Sequence, residues 1–219
     1  MKIISLLKKF KHFLTPSHKS LIISKINGTE NIVSYNSTSL SNTTFDISGN
    51  NNTIIIPESC NISNTTFFIR GNNNIVTLGE KVRISGGSIW QEDNFTSIAV
   101  GNNTTFENIH LAATEDYSKI VIGNDCMFAY DIEVRTGDSH SITDSSTGKR
   151  LNKAQNVIIG NHVWVTAHCV ILKGTEIADN RVIATGSIVT KSNPTTNCVI
   201  GGNPAKIIKR NINWLRERI

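Results

Sequence analysis

The chain has 219 residues, which is enough for one domain or for one solenoid with short appendages. Only 18% of the residues are charged and the formal net charge is +5, and neither basic end carries the interleaved aromatic residues of a nucleic-acid surface, so the composition argues against a nucleic-acid partner. The four cysteines are scattered without a C-x-x-C pair, which argues against a disulfide framework and predicts a reducing, cytoplasmic protein.

Residues 1–25 are predicted to be a basic N-terminal segment. The apolar stretch at residues 3–7 is short and followed by lysines, with no small-residue cleavage site beyond it, so it does not match a signal peptide. We expect a short amphipathic helix that docks on the rest of the molecule or on a partner. Weak contact with the inner face of a membrane is the alternative.

The next part of the chain repeats with a period of 22 residues. Ser-Asn-Thr-Thr-Phe occurs at 41–45 and 63–67, and Gly-Asn-Asn-Asn occurs at 49–52 and 71–74. Asparagine tolerates left-handed backbone angles and suits tight corners, where equivalent side chains can form ladders. We therefore expect a β-solenoid over residues 26–200 whose front coils have one enlarged corner.

A polar segment interrupts the repeat at residues 139–155. The corner glycines Gly123 and Gly160 are 37 residues apart, which is much more than one coil. A loop of this length inside a regular repeat is usually functional or disordered. Because the segment begins beside His140, we expect it to be functional.

Downstream of this segment, aliphatic residues recur at intervals of six. They are Ile159, Val165, Ile171, Ile177, Ile183 and Val189. This period matches neither a helix, at 3.6, nor a flat strand, at 2, but it fits a chain that turns a corner every six residues. Three sides make an 18-residue triangular coil, whose parallel strands stack at about 4.8 Å. The phase of the run predicts that Cys169 lies in the core and Trp164 on an outward face.

The regular lattice ends near Lys191. Residues 201–219 are predicted to form a last strand and turn, followed by a short helix over residues 210–219 that carries Trp214.

Four motifs then carry a resemblance to a known family. They are Asp138-Ser-His-Ser-Ile, Ile158-Ile-Gly-Asn-His-Val-Trp-Val, Ala184-Thr-Gly-Ser-Ile-Val-Thr-Lys and Gly202-Asn-Pro-Ala-Lys. Together they resemble the hexapeptide-repeat acyltransferases, and most of all the polysaccharide and sialic acid O-acetyltransferases. The resemblance implies an all-β, left-handed parallel β-helix. It also implies transfer of acetyl from acetyl-CoA to a carbohydrate hydroxyl in a capsular polysaccharide, an O-antigen or sialic acid.

The resemblance implies which residues act on the substrate. His140 matches the general base of the family, and Trp164, 24 residues later, matches a tryptophan that lines the same site. A backbone N–H near Ala167 would stabilise the oxyanion. Asp138 or a backbone carbonyl would orient the imidazole of His140.

The resemblance also implies where acetyl-CoA binds, with no metal involved. Ala167 and Thr185, one coil apart, match positions that bind the pantetheine arm, and Gly186 would allow close approach. The remaining candidates for cofactor binding are Lys173, on an outward corner, and Thr190, Lys191, Pro204, Ala205 and Lys206, towards the nucleotide end.

Partners and alternatives follow from the same reasoning. The family's binding groove is completed by a neighbouring subunit, so the resemblance implies a homotrimer. The alternatives are an N-acetyltransferase on an amino sugar or nucleotide sugar, a zinc hydratase and a non-enzymatic solenoid module. His162 and His168 are six apart and would point from different faces, which argues against zinc. His110 is expected to be structural or solvated.

Overall fold

The computed structural model describes residues 21–219, which form three parallel β-sheets wound into a triangular solenoid. Sheet I contains β1 (Ile22–Asn27), β4 (Thr43–Ser48), β7 (Thr65–Arg70), β10 (Gly87–Glu92), β13 (Ile109–Ala113), β16 (Ile132–Arg135), β19 (Val170–Ile171) and β22 (Ile188–Val189). Sheet II contains β2 (Ile32–Ser34), β5 (Thr53–Ile55), β8 (Ile75–Leu78), β11 (Ser97–Val100), β14 (Lys119–Ile122), β17 (Val157–Ile159) and β20 (Glu176–Ile177). Sheet III contains β3 (Leu40–Ser41), β6 (Asn61–Ser63), β9 (Arg83–Ile84), β12 (Thr105–Phe106), β15 (Met127–Phe128), β18 (Trp164–Val165), β21 (Arg181–Ile183), β23 (Cys198–Gly202) and β24 (Ala205–Arg210).

From β1 to β22, successive strands belong to sheets I, II and III in turn, so three strands complete one coil. The predicted triangular parallel β-helix is therefore confirmed. Its first strand among the described residues starts at Ile22, before the expected boundary at residue 26. The predicted N-terminal helix and its membrane contact fall mainly on residues 1–20, which lie outside the described part of the chain. Within residues 21–219, no helix is both long enough and apolar enough to cross a bilayer.

The core consists of side chains stacked along the solenoid axis. Ile159 pairs with Ile177 in the neighbouring coil, and the 18-residue spacing predicted from the sequence is confirmed by the same pairing of Val165 with Ile183. In the front coils phenylalanine fills the equivalent positions, and the rings of Phe106 and Phe128 stack at 4.7 Å. Each such fully buried side chain contributes about 1.5–3 kcal/mol of transfer free energy.

The asparagine corners form the predicted ladders. The turns between sheet I and sheet II, which we call the I–II corner, include residues 49–52, 71–74 and 93–96. In the buried ladder, the amide of Asn74 donates to Oδ1 of Asn52 at 3.0 Å, and the amide of Thr96 donates to Oδ1 of Asn74 at 2.9 Å. These bonds satisfy buried amides that have no strand partner, so the ladder fixes the corner.

The long excursion leaves and rejoins the solenoid at this same I–II corner. It connects β16 to β17, and its base is closed by a hydrogen bond from the amide of Gln155 to the carbonyl of Thr136 at 2.9 Å. The regular pairing between the flanking coils is therefore preserved around the insertion.

The C-terminal end corrects the prediction of a helix over residues 210–219. β24 runs antiparallel to β23 as far as Arg210, and residues 211–219 form bends and irregular backbone without a helix. Arg216 anchors this tail through its Nε on Oδ1 of Asp125 at 3.0 Å and its guanidinium on the carbonyls of Asn103 and Cys126. An isolated nine-residue helix is marginal in water, so these contacts with the solenoid decide the conformation.

The buried ladder generates a stability prediction. Replacing Asn74 by alanine removes the acceptor of the Thr96 amide and the donor to the carbonyl of Asp93. We expect Asn74→Ala to lower the free energy of unfolding by about 1–3 kcal/mol, because buried polar groups lose their partners. Urea denaturation followed by circular dichroism measures the change. The matched control is Asn108→Ala at an exposed position; an equal loss in both variants would contradict the role of the ladder.

Candidate functional site

The base of the excursion is held by a network around Asp138. The ammonium group of Lys173 binds Oδ2 of Asp138 and the carbonyl of Asn152, the latter at 2.9 Å. The side-chain amide of Asn152 donates to Oδ2 of Asp138 and to the carbonyl of His140, both at 2.8 Å. Arg150 adds a bidentate ion pair with Glu115 at 2.9 and 2.5 Å. The backbone on both sides of His140 is thereby fixed to the I–II corner.

This network gives a structural role to two residues expected at the site. Lys173 and Asn152 both donate to Oδ2 of Asp138. The backbone carbonyl of Asp138 accepts a hydrogen bond from the amide of His140 at 2.8 Å. Asp138 therefore helps to fix the loop, and because Lys173 and Asn152 both bind its Oδ2, the expectation that Asp138 orients the imidazole stays a prediction. Lys173 holds the base of the excursion, and its expected place near the cofactor stays a prediction. Burial of Asp138 would raise its pKa, but the hydrogen bonds from Lys173 and Asn152 outweigh it, so the pKa lies below the ordinary value.

His140 itself is exposed on the excursion, next to a cavity on the outer face of sheet I. The cavity has a volume of about 300 Å³. Its lining comprises Trp90, Glu92, His110, Ala112, Thr114, Arg135, Gly137 and Ser139. Sequence reasoning missed this cavity, although aligning the 22-residue repeats puts Trp90 and Ala112 at one outward position.

His110 proves to be part of the wall of this cavity. Its Nδ1 lies 2.6 Å from the hydroxyl oxygen of Ser88, and its ring packs edge-on near Trp90. Burial lowers the pKa of His110, with the charge of Glu133 opposing the effect. The lowered pKa favours the neutral imidazole, and among residues 21–219 the Nε2 atom makes no hydrogen bond.

A second group of candidates lies where sheet III turns into sheet I, which we call the III–I corner. Ala167 and Thr185 occupy equivalent places in successive coils, and the amide of Gly186 donates to the carbonyl of Ala167 at 3.0 Å. The neighbouring amides of Thr166 and His168 donate to backbone carbonyls, whereas the amide of Ala167 has no backbone partner within residues 21–219. A free amide at an exposed corner can donate to a substrate oxygen.

The turn between β23 and β24 continues this corner into the next coil. Ile200 of β23 pairs with Ile183, and the chain then turns through Pro204 and Ala205. Lys206 lies opposite Gly201 and is exposed. These three cofactor candidates therefore share a corner with Ala167 and Thr185.

Trp164 lies on the outer face of sheet III, paired with Met127 and Val182 of the adjoining coils. The C-terminal tail packs beside it, with the ring of Trp214 at 6.0 Å from Trp164 and stacked on His162 at 4.1 Å. The outward position predicted for Trp164 is confirmed. Trp214, assigned to a helix from the sequence, instead supports this wall.

One chain does not bring all the predicted site residues together. The I–II corner, with His140, is the vertex of the triangle opposite sheet III, which carries Trp164. Thr190 and Lys191 follow β22 and therefore also lie at the I–II corner, one side away from Ala167 and Thr185. The candidates thus fall into two groups on different sides of the solenoid.

The two histidines considered for zinc are each paired with an aspartate. His162 Nδ1 lies 2.7 Å from Asp125, and His168 Nδ1 lies 2.6 Å from Asp131. In the part of the chain that the structure describes, no group of three or more histidine, cysteine, aspartate or glutamate side chains could hold a metal ion.

No family model matches the chain, but two solved structures share its fold. The crystal structure of the polysialic-acid-specific acetyltransferase NeuO is 33% identical, has a TM-score of 0.80 and covers 91% of this chain and 90% of its own. That of the polysialic acid O-acetyltransferase OatWY is 35% identical with a TM-score of 0.84, covering 91% and 93%. The chain belongs to the hexapeptide-repeat acyltransferase family.

Sequence similarity to curated relatives covers a shorter part of the chain than the structural similarity does. The chain is 44% identical to the polysialic acid O-acetyltransferase of Escherichia coli O1:K1 / APEC over 91 residues, or 42% of the chain. That match spans only 29% of the length of the Escherichia coli protein. More than half of the chain lies outside this sequence match, but the two solved structures cover 91% of the chain and so include its front coils.

The Asp138 network generates a prediction about pH. A carboxyl whose pKa is lowered on folding stabilises the fold fully above its unfolded pKa, near 3.9, and loses this contribution as the pH falls through the folded value. We expect amide protection at the base of the excursion, corrected for intrinsic exchange, to be constant from pH 7 to about 4 and to fall below that. Hydrogen exchange detected by mass spectrometry measures it.

Internal and variant controls accompany this measurement. Hydrogen bonds from Ser146 and Thr147 lower the pKa of Asp144 to about 2, so protection of that turn should persist to lower pH. Lys173→Met should reduce protection of the base already at pH 7. Unchanged protection in this variant would show that the ion pair does not hold the excursion.

Proposed function

We propose that the chain transfers acetyl from acetyl-CoA to a hydroxyl of a carbohydrate acceptor. Family membership supports acyl transfer, and relatives named polysialic acid O-acetyltransferases support a sugar hydroxyl as the acceptor. The observation that carries the proposal is His140 on a loop fixed at both sides, beside a cavity with an aromatic wall. We include a bacterial surface glycan, such as a capsule, an O-antigen or sialic acid, as the acceptor class.

The proposed chemistry is direct attack. The imidazole of His140 takes the proton of the acceptor hydroxyl as its oxygen attacks the thioester carbonyl carbon. The negative charge moves to the carbonyl oxygen, and the amide of Ala167 is the proposed donor to it. The C–S bond then breaks, and the departing thiolate takes the proton from the imidazolium. The products are an acetyl ester and CoA.

No acyl-enzyme is needed in this proposal. Cys169 is buried on the core side of the lattice, and burial raises the pKa of its thiol. A protonated, buried thiol is a poor nucleophile. The other three cysteines are also unpaired and buried, which fits the proposed location in the reducing cytoplasm.

The III–I corner is suited to the pantetheine arm of acetyl-CoA. Thr185 and Gly186 are exposed, and a Cβ added at Gly186 would meet nothing within 4 Å, so a ligand can approach the backbone closely. The exposed ammonium groups of Lys191 and Lys206 are the proposed partners of the phosphates. Pro204 and Ala205 would pack against the adenine.

The separation of the candidates into two groups supports a site shared between copies. His140, Thr190 and Lys191 would come from one copy, and Trp164 with the III–I corner from its neighbour. A closed ring of three chains makes one such contact at each interface. We therefore propose a homotrimer in which no isolated chain is active.

The first test concerns the general base. His140→Ala should lower kcat about 10²–10⁴-fold, because the hydroxyl loses its proton acceptor, and should leave acetyl-CoA affinity nearly unchanged. Thiol release with sialic acid oligosaccharides measures turnover, and titration calorimetry measures affinity. Ser145→Ala, an exposed change on the same loop, is the control. A kcat within a few-fold of the unaltered protein would remove His140 from the mechanism.

The second test concerns the shared site. The His140→Ala and Trp164→Ala proteins are each expected to be inactive, and are then refolded together in equal amounts. About a quarter of the sites in the mixed trimers should be active, because random assembly places an intact His140 beside an intact Trp164 at that fraction of the interfaces. Mixing without refolding is the control. Recovery of no activity would place both residues in a site within one chain.

A further inference from the structure

Trp90 lines the cavity beside the excursion, and within residues 21–219 Phe68 is the one ring stacked on it, while His110 approaches edge-on at 6.1 Å. Its indole stacks on Phe68 with centroids 3.7 Å apart and an interplanar angle of 21°. The other face of Phe68 is covered by the guanidinium of Arg70, 3.8 Å from the ring centroid, and Arg70 is paired with Asp46. The stack therefore ends at Trp90, and its second face looks along sheet I towards the next coil.

The next coil supplies no ring at the equivalent position. The parallel register aligns Trp90 with Ala112 and Ala112 with Arg135. Trp90 and Arg135 are thus two strand spacings apart, about 9.6 Å along the axis. A ring held between an indole and a guanidinium needs carbon contacts of about 3.5–4 Å on each side, or about 7–8 Å in total. The space over Ala112 is therefore large enough for one six-membered ring.

Side chains that can hydrogen-bond to sugar hydroxyls surround this space. Glu92 and Thr114 line it, and His110 faces it with Nδ1 engaged by Ser88. Arg135 is paired with Glu133 at 2.7 Å, but its buried Nε has no hydrogen-bond partner within residues 21–219. The Arg135 side chain as a whole is 32% exposed and lines the cavity, so a sugar hydroxyl can bind those guanidinium nitrogens that are not buried.

We propose that this cavity, between Trp90 and Arg135, is the subsite for one pyranose ring of the acceptor glycan. The apolar face of the sugar packs on the indole, and its hydroxyls bind Arg135, Glu92 and His110. Ser139 lines the cavity next to His140, so an adjoining hydroxyl can reach the proposed base. The inference rests on the proposed acetyl transfer, and it assigns to the front coils the choice of acceptor.

The test places an aromatic side chain at residue 112, where the column of rings is interrupted. Ala112→Phe adds the missing ring and should block the sugar, while Trp90→Ala removes the floor and Trp90→Phe retains part of it. Tyr117→Ala, in an exposed aromatic pair with Phe95 that does not line the cavity, is the matched control. Binding of a sialic acid oligosaccharide and of an N-acetylglucosamine oligosaccharide is followed by saturation-transfer NMR, and acetylation by thiol release. Thermal melting verifies that each variant folds.

The expected result is that at least one probe binds the unaltered protein and Tyr117→Ala equally. Ala112→Phe and Trp90→Ala should weaken its binding, or raise its KM, about tenfold or more, with the KM for acetyl-CoA unchanged and Trp90→Phe intermediate. Equal binding by Ala112→Phe and the unaltered protein overturns the subsite, as does the absence of binding by both probes.

Binding and turnover separate this inference from the proposed function. A probe that binds in the cavity but is never acetylated contradicts the transferase activity and supports the subsite. A probe that is acetylated with an unchanged KM by Ala112→Phe supports the activity and rejects the subsite.

Discussion

The parallel register between neighbouring coils is the constraint on which the rest of the structure depends. A strand residue alternates between core and surface, so a shift of one position would exchange the two faces. The registers that stack Ile159 on Ile177 also align Trp90 with Ala112. The asparagine ladder reinforces this register at the I–II corner because it binds amides that no strand can pair. The excursion is tolerated because it leaves and returns at one corner and changes no register on either side.

The sequence predicts the features that repeat, and it fails where the structure depends on a single contact. The period of six predicts the triangular coil and the burial of Cys169, because every coil obeys the same packing rule. The helix expected near Trp214 was wrong, since the tail is shaped by Arg216 reaching residues that are about 90 and 110 positions away in the chain. The capture of Asp138 by Lys173 is likewise a long-range contact that neither local spacing nor resemblance indicates.

The candidate site shows the same division. Resemblance supplies His140, Trp164 and the III–I corner as separate positions, and their assignment to different sides of the triangle follows only from the strand order. The cavity over Ala112 is formed by an absence, since a small residue interrupts a column of large ones. A scan for charged, aromatic or nucleophilic residues passes over alanine, whereas the register makes its small size decisive.

The antiparallel strand β24 has a consequence for the behaviour of the molecule in concentrated solution. A solenoid built only of parallel strands ends in unpaired backbone groups that could receive the first coil of another copy and so build a fibre. β24 runs against the direction of sheet III and covers its last parallel strand. An incoming coil would meet a strand of the wrong polarity on that side. The reversal of one short strand therefore opposes end-to-end polymerisation at the edge of sheet III.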